Sequence, residues 1–286
     1  MFYTFKMIAS DIDGTLIYKS DYPSKRTKNA IKAVTMRGIP FVLTTGRRIA
    51  STKTISYAFD ITENPIITNC GACISIPSRN NILHANHIPK DIAFEIGKIA
   101  FTSGVNAAFY ENVYDGNNIY TFSTEHLHWM ASHSPWYASF FEKIDIKNDS
   151  LINDPIQLCL SGTSEAMKKA KSLIQAEFKD DITLMDYGVL KHGDHIMDIF
   201  ASDTSKANAL EWLLGSYGFS KSELIAFGDG INDSEMLNVA GLSVAMDNAP
   251  QYLKQKAKIV APSNKDEGVA HVIEELIAKN LLASLK

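Results

Sequence analysis

Cysteine is scarce in this 286-residue chain, occurring at Cys70, Cys73 and Cys159. Three thiols cannot form a disulfide framework, so the fold has to rest on a buried apolar core, and a reducing compartment is the expected setting. A surplus of positive charge is missing too. The formal net charge is -4, which excludes the electrostatic footprint of a nucleic-acid or anionic-membrane binder and requires any bound phosphate to be held by local groups. Long hydrophobic runs are absent: the longest stretch free of Asp, Glu, Lys and Arg, His126 to Phe141, contains three histidines and Pro135 and cannot span a bilayer. The opening residues, Met1 to Asp13, carry a lone lysine and two aspartates. They lack the regions of a secretory signal and read as a first strand, so the cytoplasm is the expected location. Repeats and low-complexity segments are lacking as well.

What is present is an ordinary globular composition, 45% hydrophobic and 21% charged, enough for a sizeable core in one large domain or two smaller ones. Short apolar runs ending in small or polar residues alternate with helical patterns at both ends of the chain, which predicts an α/β fold with a parallel sheet. The runs are Phe5 to Ala9, Ile39 to Leu43, Ile66 to Thr68, Leu224 to Phe227, Leu242 to Ala245 and Ile259 to Ala261. A helix is predicted over Ser24 to Arg37, with Ala30, Ile31 and Val34 on one side and Gly38 ending it. The middle reads differently. Phe101 to Phe141 is dense in aromatic residues and broken by turn signals; strand patterns at Ile156 to Leu160, Ile182 to Met185 and His195 to Phe200, with a helix from Ser164 to Phe178, follow. An inserted second domain of α+β type is expected there.

Each main run at the ends of the chain leads into chemically loaded residues. The first delivers Asp11-Ile-Asp13-Gly-Thr-Leu, two carboxylates at the C-terminal end of a strand, where open parallel sheets bind ligands. An EF-hand is excluded because Leu16 stands at the glycine position and Tyr22 where a bidentate Glu is needed. A later strand delivers Gly228-Asp229-Gly-Ile-Asn232-Asp233, a near miss for the dinucleotide fingerprint, with Asp233 where Gly or Ala should allow close helix packing. Carboxylates from two strands converging on one point are better explained by Mg2+, which prefers hard oxygen ligands. Thr44-Thr45-Gly46-Arg47, after the second strand, offers donors to phosphate oxygens, and Lys206, opening a helix over Ser205 to Leu214, offers a cation.

In their order and spacing, Asp11-Ile-Asp-Gly-Thr-Leu, Thr45-Gly-Arg, Ser205-Lys206 and Gly228-Asp-Gly-Ile-Asn-Asp resemble the four motifs of the haloacid dehalogenase superfamily, in its large-cap Cof-type branch. Thr68-Asn69-Cys-Gly71-Ala and Val244-Ala-Met-Asp-Asn248-Ala resemble two of its secondary markers, while Ala207 and Asp247 depart from residues common in the family. The resemblance implies a Rossmann-like parallel-sheet core, residues 1–83 and 199–286, with an inserted α+β cap, residues 84–198. It also implies an Mg2+-dependent phosphomonoester hydrolase of small phosphorylated metabolites, working through an aspartyl phosphate. Asp11 would be the nucleophile, Asp13 the general acid and base, and Lys206 the group that steadies Asp11. Asp11, the backbone carbonyl of Asp13, and Asp229 would hold the metal, with Asp233 a ligand through water or an orienting group. Thr45, Gly46, Arg47, Asn69 and Asn232 would meet the substrate, Thr45 and Asn232 through its phosphoryl oxygens. Phosphotransfer by the same aspartate is the alternative, and a nicotinamide-dependent oxidoreductase resting on the Gly228 near miss is the reading from another class.

Other features carry less. Cys70-Gly-Ala-Cys73 has thioredoxin-like spacing but leads into another apparent strand, Ile74 to Pro77, where a redox motif would open a helix. His126, His128 and His133 lack the cysteine or carboxylate partners of a typical transition-metal site and read as solvated or packed residues.

Overall fold

A computed structural model describes residues 4–19, 22–111, 119–123, 141–147, 151, 153–191 and 193–285. Two compact units emerge, Met1–His84 with Ser205–Lys286, and Ala85–Thr204.

The first unit is built on a sheet whose strands run in the order β14-β13-β12-β1-β2-β3-β4-β5. Strands β1 (Met7–Asp11), β2 (Phe41–Thr44), β3 (Ile66–Thr68), β12 (Leu224–Gly228), β13 (Leu242–Met246) and β14 (Ile259–Ala261) are parallel. Strand β4 (Cys73–Ile76) turns back antiparallel on β3, and β5 (Asn81–Ala85) lies next to it. Ile8, Ile225 and Phe227 join one core with Phe41, Leu43 and residues of helices α1 (Lys25–Thr35), α2 (Ile49–Ala58) and α8 (Gly268–Ala278). Their neighbours Met7, Ala9, Leu224 and Ala226 join the opposite core with α5 (Lys206–Tyr217), α6 (Ser234–Val239) and α7 (Gln251–Lys256). Burial on both faces is why these strands read as unbroken apolar runs.

The first two strands start two residues later than their apolar runs suggested. Phe5 is apolar but belongs to a different pairing: its backbone bonds Leu281 and Ala283 of the C-terminal segment, while the ladder with β12 begins at Met7. Helix α1 is capped by Ser24, whose hydroxyl accepts from the Thr27 N–H, and closes at Met36, shortly before Gly38. The chain runs outward from β1 to β3 on one side and from β12 to β14 on the other, so the strand order reverses between β1 and β12. Ser10 is registered against Phe227 and Asp11 against Thr44. Asp11 therefore arrives at the reversal point, where doubly wound sheets place their ligands.

The second unit has a sheet in the order β10-β11-β9-β6-β7-β8. The pairs from β10 (Ile182–Val189) through β11 (His195–Ala201), β9 (Gln157–Gly162), β6 (Asn106–Tyr110) and β7 (Ile119–Thr121) are antiparallel, while β8 (Phe141–Lys143) is parallel to β7. Helices α3 (Lys90–Thr102) and α4 (Ser164–Phe178) pack on one face through Phe94, Ile96, Met167 and Ile174, against Phe109, Leu158, Leu160 and Met197. Phe122 meets Phe94 and Phe109 edge-on at ring separations of 5.3 and 5.4 Å, so much of the described aromatic content is core. This unit runs to Thr204, and its strand β11 is paired with β10 along its whole length. His126, His128 and His133 lie outside the described residues.

One glycine joins fold to site. Gly71 has φ +109°, and a Cβ there would lie 2.2 Å from the carbonyl oxygen of Ser205 and 2.9 Å from the nitrogen of Lys206. Backbone against backbone cannot yield cheaply, so the turn after β3 fits the start of α5 only without a side chain. Gly71→Ala is expected to lower unfolding free energy by about 2–4 kcal/mol. Denaturant titration checks this, and an unchanged midpoint would contradict the close approach.

Candidate active site

Asp11 ends β1 almost buried, 6% exposed. The turn that follows is tight: the Leu16 and Ile17 N–H groups both donate to the Ile12 carbonyl, at 2.9 and 3.1 Å. Gly14 adopts φ +86°, and a Cβ there would come within 2.2 Å of an Asp229 carboxylate oxygen. The bare backbone thus lets the carboxylate after β12 close on the loop after β1. The Thr15 hydroxyl donates to Asp229 Oδ1 at 2.6 Å, and the Asn248 amide donates to Asp229 Oδ2 at 3.3 Å and to the Gly14 carbonyl at 2.8 Å. Thr15 and Asn248 stand inside the sequence motifs, but the sequence reading gave them no part in orienting Asp229, a contact that joins segments far apart in the chain.

Asp233 is buried on the turn Ile231–Asp233. Its Oδ2 accepts from the Asp229 and Gly230 N–H groups at 3.0 and 2.9 Å, while Oδ1 accepts from Lys206 Nζ at 2.7 Å. Lys206 is the first residue of α5, just after the N-cap Ser205, whose hydroxyl accepts from the Asn208 N–H. Its ammonium also donates to Asp11 Oδ1 at 2.6 Å, and the side chain is only 1% exposed. Burial alone would lower the ammonium's pKa, but Asp11 and Asp233 outweigh that and raise it above the ordinary lysine value.

Carboxylate oxygens of Asp11, Asp229 and Asp233 lie within 4.8 Å of one another. One ammonium cannot neutralise three. Burial, opposed by Lys206 and assisted by Asp233 and Asp229, pushes the Asp11 carboxyl up to about 7. Asp229 is raised by burial and by Asp233, against the Thr15 hydrogen bond. A compact set of hard oxygens with uncompensated negative charge fits a small divalent cation. Asp11, Asp229 and Asp233 are the residues that could hold it.

The remaining predicted residues divide. Asp13 does not bring its carboxylate into this cluster: the side chain is 54% exposed and pairs with Arg47, Nε donating to Oδ2 at 2.7 Å and Nη2 to Oδ1 at 2.5 Å. Any share of Asp13 in metal binding therefore falls to its backbone. Thr45 is buried, and its Oγ accepts from the Arg47 N–H at 3.0 Å, which leaves the hydroxyl proton to donate. Asn69 and Cys70 lock the same turn through backbone bonds, the Asn69 N–H to the Arg47 carbonyl at 2.9 Å and the Cys70 N–H to the Thr45 carbonyl at 3.0 Å. Gly46 sits against them; a Cβ there would lie 3.2 Å from Cys70 Sγ. Asn232 is exposed on the Ile231–Asp233 turn. Cys73 opens strand β4, and burial pushes its thiol up to about 12, the reverse of an activated redox cysteine.

A model of the haloacid dehalogenase-like hydrolases matches residues 8–273. The chain is similar to the 5-amino-6-(5-phospho-D-ribitylamino)uracil phosphatase of Bacillus subtilis, 28% identical over 295 residues covering 96% of this chain and 98% of that protein. In structure it is similar to a haloacid dehalogenase-like hydrolase from Bacteroides thetaiotaomicron, with a TM-score of 0.79 at 22% identity over 95% of this chain and 99% of that one. A phosphatase of the haloalkanoate enzyme superfamily from the same organism gives 0.75 at 22%, over 98% and 96%. At these identities the structural likenesses speak for the fold.

The raised Asp11 makes a testable demand on the metal-free chain. Its folded pKa, about 7, exceeds the ordinary 3.8, so the stability tied to its neutral form is intact below the ordinary value and lost as pH rises through about 7. Asp11→Asn removes that loss. In excess chelator, the stability of Asp11→Asn relative to the wild-type chain is expected to grow from about pH 5 to about pH 8. Denaturation curves across that range check it, and a difference that stays flat would show Asp11 already ionised without cost.

Proposed function

The chain belongs to the haloacid dehalogenase-like hydrolase family, and from that premise we propose that it is a magnesium-dependent phosphomonoesterase of small phosphorylated metabolites that works through phosphorylated Asp11. The observation that carries the reading is the buried Lys206 ammonium bridging Asp11 and Asp233 beside Asp229, at the point where the strand order reverses. A carboxylate can attack a phosphate dianion only if their repulsion is screened, and a cation, an ammonium and fixed donors do so.

In this reading an Asp11 oxygen attacks phosphorus in line, the bond from phosphorus to the leaving oxygen breaks, and Asp13 gives that oxygen its proton. Water then attacks the phosphorus of the aspartyl phosphate and passes a proton to Asp13. The bond from phosphorus to Asp11 breaks, and inorganic phosphate leaves with the carboxylate restored. Lys206 keeps Asp11 oriented throughout, and the Thr45 hydroxyl and Asn232 amide donate to the phosphoryl oxygens. Asp11, Asp229 and the backbone carbonyl of Asp13 would hold magnesium, with Asp233 orienting it, and the ion would supply charge screening on those oxygens.

The second unit is the substrate-selecting cap in this account. The Bacillus subtilis relative, named for a phosphorylated ribityl pyrimidine, supports a phosphomonoester of a polar metabolite as the substrate class. We place the reaction in the cytoplasm, where the buried thiols of Cys70, Cys73 and Cys159 stay reduced.

Phosphate release from a panel of phosphorylated metabolites and p-nitrophenyl phosphate tests the reading: activity is expected with Mg2+, to vanish on chelation and to return on readdition. Full activity in excess chelator would sink the metal assignment. Asp13→Asn is expected to cost about 10^2 to 10^4-fold in turnover on an alkyl phosphate, and less in the phosphorylation step on the aryl ester, whose leaving group needs little protonation. Pre-steady-state kinetics should then show a burst of p-nitrophenol; equal losses on both esters with no burst would remove Asp13 from its role.

A further inference from the structure

We infer that Arg47 acts in the reaction through Asp13, as its positioning residue, and not solely as a cation for the substrate's phosphate. The inference rests on the reading that Asp13 is the general acid and base. Asp13 sits past the end of β1 on an exposed turn, where an unrestrained carboxylate would sample several rotamers. Both of its oxygens are instead gripped by one planar fork, the Nε and Nη2 of Arg47. The fork is itself built in. The Arg47 N–H donates to Thr45 Oγ, its carbonyl accepts from the Asn69 N–H, and Nη1 donates to Ser51 Oγ at 3.3 Å. Asp13 is thereby tied to the turn that carries Thr45, so the proton-transfer group and a phosphoryl donor are set in one frame.

The chemistry gives this tie its value. In an in-line double displacement the leaving oxygen departs from the apical position opposite Asp11, and the attacking water arrives at that same position. A carboxyl kept in one place can then serve both proton transfers, held by the whole fork when ionised and through its unprotonated oxygen when it carries the proton, whereas one free to rotate serves each only part of the time. A lysine, a point charge without a fork, could not grip both oxygens of Asp13 in this way.

The test compares kcat/KM, which reports the phosphorylation step, for p-nitrophenyl phosphate and for the best alkyl phosphate of the panel. Wild type, Arg47→Ala, Arg47→Lys, Asp13→Asn and the Arg47→Ala/Asp13→Asn double variant are measured with Mg2+. Loss of phosphate binding alone lowers both esters equally. Loss of Asp13 positioning adds a further fall, on the order of tenfold or more, on the alkyl ester. We expect that extra fall in Arg47→Ala and in Arg47→Lys, which keeps the charge but not the fork, and we expect it to disappear once Asp13 is Asn. Residual aryl turnover certifies that the variants are folded. Equal losses on the two esters in both Arg47 variants, beside an alkyl-selective loss in Asp13→Asn, would overturn the positioning role while leaving the phosphatase reading intact. An alkyl-selective loss that persists in the double variant would do the same. No phosphate release by the wild-type chain would overturn both.

Discussion

A lysine ammonium without access to water, 2.6 Å from Asp11 and 2.7 Å from Asp233, is the interaction on which the site depends. Removing the lysine from such a buried set leaves uncompensated carboxylates, at a cost of about 3–5 kcal/mol. The surroundings are arranged so that no member moves independently. Lys206 is pinned by the start of α5, Asp233 by two backbone N–H groups, and Asp11 by its place at the end of a fully buried strand. One positive charge against three carboxylates leaves a deficit that suits a small divalent cation.

The fold serves this constraint at two places where a side chain would intrude. Gly14 lets the Asp229 carboxylate approach the loop after β1, and Gly71 lets the turn after β3 approach the first residues of α5. Both approaches are between segments distant in sequence, and both bear on the same few atoms. The parallel sheet brings the segments to one end, and the glycines remove the last obstacle to contact.

Much of this was legible in the residues. Strands buried on both faces announce themselves as apolar runs, and Ile66 to Thr68 and Ile259 to Ala261 were read with the boundaries they have. Ser164 to Phe178 was read as the helix it is. Phe5 misled because an apolar residue looks the same whether it joins the sheet or braces the C-terminal segment. In the site, the motifs by their resemblance grouped Asp11, Asp229, Asp233 and Lys206, which the structure brings together. They could not show that Asp13 faces Arg47 and not the carboxylate cluster, because that choice depends on side-chain direction across segments 34 residues apart.

The central claim is that Asp11 is a covalent nucleophile and not merely a metal ligand. It is tested most directly by the stereochemical course of hydrolysis at a phosphorus made chiral with oxygen isotopes and sulfur. Two in-line displacements, first by Asp11 and then by water, predict net retention of configuration. Net inversion would mean that water attacks the substrate in a single displacement, and it would contradict the account.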